Sequence, residues 1–305
     1  MSRLAADRVI LCADDFGLSA AVTQGICELA EAERLSALSA MVTFSRWPED
    51  ARRLADIRGK VAVGLHLNLT LGHPLGSMPG LAPKGVLPPV GLLVKRAVLG
   101  RIDPQEIEAE VRRQLDLFET MTGYPPDHID GHQHVHALTV VRRGVLNALS
   151  ARFKHAPKPL VRDPADRMMT IVRRGGERFK AASIALLAAG LGAQARRLGF
   201  PTNTGFSGFS AFDPATPYLA EFDTAMDLVG PGHMLMCHPG YWDEELRTLD
   251  PVVERRLQEL EALRTLPGLP ERIWRPSRTS LDAPVDWATE FAAMGSKAKA
   301  ANHAG

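Results

Sequence analysis

RVILCADDFGLSAAVTQGICELAEAERL, residues 8–35, decides the fold. Its first part, Arg8 to Ala13, is a short apolar run with the β-branched pair Val9 and Ile10, the pattern of a buried strand. Its second part sets Val22, Ile26, Leu29 and Ala30 at helical spacing behind Ser19, a candidate N-cap. The turn between them reads Ala-Asp-Asp-Phe-Gly. A dinucleotide fold needs Gly-x-Gly-x-x-Gly at this place, and its absence removes the main argument for one.

The same alternation runs along the chain. SALSAMVT (36–43), KVAVGLHL (60–67), DHID (127–130), PLVR (159–162), MLMC (234–237) and RIWRPS (272–277) read as further strands. Between them lie helical patterns at 103–123, 137–153, 215–229 and 251–266. The first is the clearest, with Asp103 as N-cap, Pro104 at the first helical position, Glu106 at capping-box spacing and Gly123 as terminator. Strand–helix alternation over the whole length implies an α/β chain, a parallel sheet with helices outside, either an open doubly wound sheet or a closed barrel. A Pro/Gly-rich loop at 71–91 is too long for a simple connector and is expected to shape a site.

Composition narrows the class. A chain of 305 residues fits one α/β barrel as readily as two domains. At 45% hydrophobic and 23% charged residues with a net charge of +1, the whole molecule gives no reason to expect nucleic acid or a membrane as partner. Three scattered cysteines, Cys12, Cys27 and Cys237, argue against a disulfide framework. The longest apolar stretch, Ala181 to Ala193, falls short of the roughly 20 residues of a membrane span. The expectation is a soluble, cytoplasmic protein: one domain over residues 1–285 with an inserted basic helical segment at about 163–200, then a loose Ala-rich tail at 286–305. Residues 142–197 carry 13 Lys/Arg against three acids. That run is either a solvated outer face or a docking surface for an anionic or membrane-borne substrate.

Four polar clusters follow four of the expected strands: ADDFG after Cys12, GLHLNLT after Val63, DGHQHVH after Ile129 and CHPG after Met236. In parallel α/β folds the carboxyl ends of strands converge on one rim, where catalytic groups from several strands meet. Asp14 and Asp15 are adjacent and point opposite ways on an extended backbone, so one reaches a metal while the other faces substrate. His66, Asn68 and Thr70 share a face at period two. His132, His134 and His136 share a face if extended, whereas only His132 and His136 do so in a helix, and His132 is the best ligand candidate either way. Asp130 is expected to orient a histidine, His136 to support a ligand, His134 to be dispensable, and His238 to be a ligand or a general acid. An Asp/His/His set with open positions suits a hydrolytic metal site, and zinc, magnesium and other divalent ions all fit it.

CADDFGLS, GLHLNLTLGHPL, PDHIDGHQHVH, Val161-Arg162 and MCHPG together resemble, in order, the motifs of the YdjC-like carbohydrate deacetylases. That family includes chitooligosaccharide deacetylases and the deacetylase-like proteins of hopanoid biosynthesis. The resemblance implies a distorted TIM-like (β/α) barrel and one divalent metal, magnesium or zinc, held by Asp15, His66 and His132. It implies removal of an N-acetyl group from an amino sugar, with Asp14 as base and His238 as acid. Asn68, Asp130, His136 and Arg162 then fall around the metal or the substrate. The expected partner is an N-acetylated saccharide or a glycolipid head group, and a homodimer fits the family. Cys12 departs from the asparagine usual there, and the 163–200 segment is longer than the usual connection. Two other classes compete: a metal- or sugar-binding regulatory protein without turnover, which needs neither Asp14 nor His238, and a metal-dependent phosphoesterase, for which Arg162 is the one obvious phosphate clamp.

Overall fold

Strand periodicity builds two cores. In β1 (Ile10–Phe16), Ile10 and Cys12 belong to one buried apolar cluster, while Leu11, Ala13 and, just before the strand, Val9 belong to another. The computed structural model describes residues 8–278 and 280–303. Its other strands are β2 (Ala37–Ala40), β3 (Ala62–Leu67), β4 (His128–Gly131), β5 (Leu160–Val161), β6 (Gly205–Ser207) and β7 (His233–Cys237). All pair in parallel, in the order β5-β4-β3-β2-β1-β7-β6. The sheet curls until the Arg162 side chain, just past β5, touches Asp14 on β1, Ser39 on β2, Asp130 on β4 and Met234 on β7. The architecture is a distorted TIM-like barrel. Its outer core packs sheet against helices, and its inner core of Ile10, Cys12, Ala37, Ala62, Leu160, Phe206 and Met234 fills the lumen.

Strands β5 and β6 close the barrel through a connector rather than a ladder. Val161 donates to the Pro201 carbonyl at 2.9 Å, and the Asn203 side chain accepts from the Asp163 amide at 2.7 Å. The Asn203 side-chain Nδ2 donates to the carbonyls of Asp163 and Gly205. The short β6 carries no sequence signal of its own. Inside the lumen Gly64 leaves room for a ring: a Cβ there would lie 2.3 Å from His128 Nε2.

Local signals in the sequence act as read, with one exception. Ser19 caps the helix Ala20–Glu31 by accepting from Val22, and Asp103 caps Pro104–Thr122. Glu106 makes no capping box, because its carboxylate instead accepts from Gly80 and Leu81 and ties the long loop to the helix. The segment 163–200 holds three helices, Met168–Arg174, Arg178–Leu187 and Leu191–Arg197. No helix among the described residues is long and apolar enough to cross a membrane.

The C-terminal end departs from expectation. RIWRPS makes no named strand; a single parallel bridge joins Ile273 to Val9, and Trp274 then turns under the barrel. The Ala-rich stretch, expected to be loose, is helical over Trp287–His303, and its last two residues lie outside the described ones. Trp287 packs against Trp274 with ring centroids 5.0 Å apart and the planes tilted by 33°, and both join the inner core. Buried Asp127 fastens this plug: its carboxylate accepts from Arg58, from Arg278, and from the amides of Val63 at 2.7 Å and Val285 at 2.9 Å. Burial alone would raise the Asp127 pKa, but the two guanidiniums more than reverse this and hold it low. Its stabilisation therefore holds above the ordinary carboxylate range and is lost as acid protonates it. Asp127→Asn strands two buried cations and is expected to lower stability by about 3–5 kcal/mol, read as a lower urea midpoint.

Candidate functional site

The carboxyl ends of β1, β3, β4 and β7 bring their polar residues into one cavity of about 340 Å³. Asp14, Asp15, His66, His132 and His238 line it, joined by Arg256, Lys180, Ile184, Val90 and Phe212 from the surrounding helices and loops. Such a volume is near the lower end of small-ligand sites, which span roughly 300–1,000 Å³.

Asp15 takes a left-handed backbone, φ 70°, where the β1 register shifts between Ala13 and Phe16. Aspartate tolerates this region better than most residues. The bend takes the pair off an extended backbone and lets both aspartates line the same cavity, Asp15 beside His66 and His132 and Asp14 beside Arg162. Asp15 Oδ1 lies 2.9 Å from His132 Nδ1 and 3.3 Å from His66 Nε2. One ligand atom from each of Asp15, His66 and His132 falls within 4.8 Å of the others. Arg256 Nη2 holds the other Asp15 oxygen at 2.5 Å. Burial works to raise the Asp15 pKa, yet Arg256 and His132 bring it well below the usual carboxylate range.

A chain of charge runs inward from this group. His66 Nδ1 meets Asp130 Oδ1 at 2.6 Å. Asp130 Oδ2 accepts from Ser39 at 2.6 Å and lies 2.7 Å from Arg162 Nη2. Arg162 grips Asp14 with both arms, at 2.6 and 2.7 Å, and Nη2 also lies 2.9 Å from Cys12 Sγ. Burial pulls the His66 pKa down, but Asp130 and Asp14 outweigh it and push it up to about 10. The site thus favours positive charge between its carboxylates, and the mixed oxygen and nitrogen donors fit a divalent cation in place of the His66 proton. His238 differs: burial takes its pKa down to about 4, against the pull of Asp15 and Asp14. Its backbone N–H donates to buried Glu259 at 2.6 Å, and its ring meets Phe212 edge-on.

The three histidines of DGHQHVH obey neither an extended nor a regular helical pattern. They lie in a short 3₁₀ turn, His132–Ala137, broken by left-handed Gln133 and His134. His132 turns to Asp15, and His136 turns back to the Arg162 carbonyl at 2.8 Å, supporting the arginine from behind. His134, expected to be dispensable, lines the cavity between Phe206 and Phe209.

Asn68 stays out of the cavity. The strand ends at Leu67, and the Asn68 side chain closes the next turn, donating to Thr43 and Leu71 and accepting from Thr70 and Leu71. Cys237 packs in the outer core, away from the site. Arg162 is no phosphate clamp, being fully buried and engaged by two carboxylates. Two groups escaped the sequence reading. Arg256 stands in register with Leu260 and Leu263 on the buried side of the helix Glu254–Thr265, a charge within an apolar stripe and the only clue to its role. Lys180 and Ile184 come from the helix Arg178–Leu187, so the inserted basic segment lies over the cavity rather than on the outer wall.

Parallel strands that gather a mixed Asp/His/His cluster and a separate Asp and His at their carboxyl ends define an α/β barrel with a polar centre at its carboxyl rim. The chain belongs to the YdjC-like protein family, whose model matches residues 8–271. It is 40% identical over 129 residues to a chitooligosaccharide deacetylase of Serratia marcescens, a match spanning 42% of this chain and half of that protein. A second chitooligosaccharide deacetylase, from Yersinia pestis, is 31% identical over 79% of this chain and 84% of its own length. In fold the chain is similar to an Enterococcus faecalis protein described as a candidate for cellobiose-phosphate cleavage. The TM-score is 0.63 at 21% identity, over 91% of this chain and all of the other.

Arg162→Ala leaves Asp14 and Asp130 buried without their cation and is expected to cost about 3–5 kcal/mol. Arg162→Lys keeps the charge but loses the fork, so its urea midpoint falls between wild type and Arg162→Ala. An unchanged midpoint for Arg162→Ala would refute the structural role assigned to this pair.

Proposed function

We propose that this protein removes the N-acetyl group from an amino-sugar-containing substrate, with one divalent cation, magnesium or zinc, held by Asp15, His66 and His132. One observation carries the reading: the three donors share a single sugar-sized cavity with Asp14 and His238. The family and the names of its deacetylase relatives support the same reaction class. When bound, the cation supplies Lewis-acid polarisation of the acetamide carbonyl and acidifies a water.

The protein's own groups do the rest. Asp14, fixed in angle by the two arms of Arg162, takes the proton of the attacking water. Asp130 holds His66 by Nδ1 and so presents Nε2 to the cavity. His238 delivers a proton to the departing amine. Held near pKa 4, it is neutral at pH 7, so the proton it delivers is the one Asp14 has taken from the water, passed on within the cavity as the C–N bond breaks. Phe212 and Ile184 shield the cavity from water on the side of the inserted segment. The products are acetate and a free amino sugar. A regulatory protein without turnover has no use for Asp14 and His238 in the cavity, and a phosphoesterase loses its clamp once Arg162 is engaged.

Acetate release from N-acetylated chitooligosaccharides, or from a glycolipid with an N-acetylated head group, tests this directly, with and without chelator. Release that survives complete chelation sinks the metal assignment. His132→Ala is expected to lose both bound metal and activity. His238→Gln is expected to keep the metal and lower kcat by about 10²–10⁴. Because His66 carries a proton in the metal-free protein, loading displaces it. Metal affinity measured by calorimetry should therefore rise as the pH is taken from 6 to 8, with about one proton released per cation.

A further inference from the structure

The four most exposed large hydrophobic side chains among the described residues are Phe179 at 79%, Leu186 at 75%, Val98 at 73% and Met169 at 69%. All four lie on the helices Met168–Arg174, Arg178–Leu187 and Val90–Val98. Met168, Val172, Leu92 and, one residue past the last helix, Leu99 are exposed beside them. These helices flank the cavity. Val90 lines it from one, and Lys180 and Ile184 from another, while the Met168–Arg174 helix packs on the latter through Ile171, Ala181 and Ala185.

Charge gathers on the same ground. Residues 164–187 hold five Lys/Arg against Asp166 and Glu177, and Asp166 is already paired with Arg174. Residues 90–101 add Lys95, Arg96 and Arg101 with no acid. Exposed Phe, Leu and Met tips set among uncompensated arginines are the composition of helices that lie in a lipid interface. Single exposed apolar residues need no explanation, but eight on or beside three helices, two of which line the cavity, do. The tips stand on three separate helices. The net positive charge matches an anionic bilayer.

We propose that the face around the cavity opening, formed by Met168, Met169, Val172, Phe179, Leu186 and Val98 with their neighbouring arginines and lysines, docks on an anionic membrane surface. The cavity then opens toward the lipid headgroups. Docking is independent of what the cavity hydrolyses, and vesicle binding is read without turnover, so the two readings fail separately.

Sedimentation of the full chain with phosphatidylcholine vesicles, with and without 30 mol% phosphatidylglycerol, tests the proposal. Binding is expected only with the anionic lipid, and is expected to fall at least tenfold between 50 and 500 mM NaCl. Phe179→Ser/Leu186→Ser should weaken it about tenfold or more with an unchanged Tm, since both side chains are exposed. Arg173→Glu/Arg178→Glu should weaken it similarly. Absence of binding to either vesicle overturns the proposal, as does binding indifferent to both double variants. A dimer seen by light scattering that dissociates in Phe179→Ser/Leu186→Ser assigns the face to a second copy of the chain and equally overturns it.

Discussion

A fully buried arginine inside a barrel is the constraint from which the rest follows. A guanidinium in a lumen walled by Ile10, Leu160 and Met234 cannot stand without counter-charge. Arg162 finds it in Asp130 on the neighbouring strand β4 and in Asp14 on β1, across the curl of the sheet. Asp130 then grips His66, which meets Asp15, which Arg256 holds from outside the barrel. The links come from β1, β3, β4, the end of β5 and the helix Glu254–Thr265, so the groups are satisfied only when the sheet has curled and the connector at 201–203 has joined β5 to β6. Closure of the fold and assembly of the site are the same event.

The division between the two ends of the lumen follows from this. At the carboxyl rim the interior is ionic and opens into a cavity. At the other end it is apolar and plugged by Trp274, Val285 and Trp287, with the Asp127 cluster tying the plug to the strands. Cys12 lies at the boundary, its sulfur in contact with Arg162 above the apolar layer. An asparagine there would offer the guanidinium an amide, whereas this chain offers a soft and weakly polar sulfur.

Much of this was legible in the sequence where the cause is local. Strand β1, the Ser19 and Asp103 caps, and the four polar strand ends each declare themselves within a few residues, and motif order did the rest. What escaped depends on long-range partners or on backbone signs that side-chain pattern does not encode. The left-handed turns at Asp15, Gln133 and His134 redirect the site side chains beside them, and neither period two nor period 3.6 predicts them. Asn68 was read as a continuation of β3, but its amide preferred the turn. Strand β6 is three residues held by its neighbour and by Asn203. Arg256 and Asp127 owe their roles to groups far away in the chain, and the helix after Asp286 is ordered at its start by tryptophans whose partners lie in the lumen.

The hairpin of helices over the cavity has a core of its own. Ile171, Ala181 and Ala185 pack together apart from the two barrel clusters. Contacts so few and so separate make a distinct cooperative unit, one that opens at a smaller free energy than the barrel unfolds. Its amide protons should exchange long before those of β1 or β3, while the ionic chain beneath stays intact. Access and chemistry are thereby uncoupled: what reaches the cavity is governed by a piece of the molecule that can loosen, drift in sequence or be lengthened without disturbing a single bond of the charge network it covers.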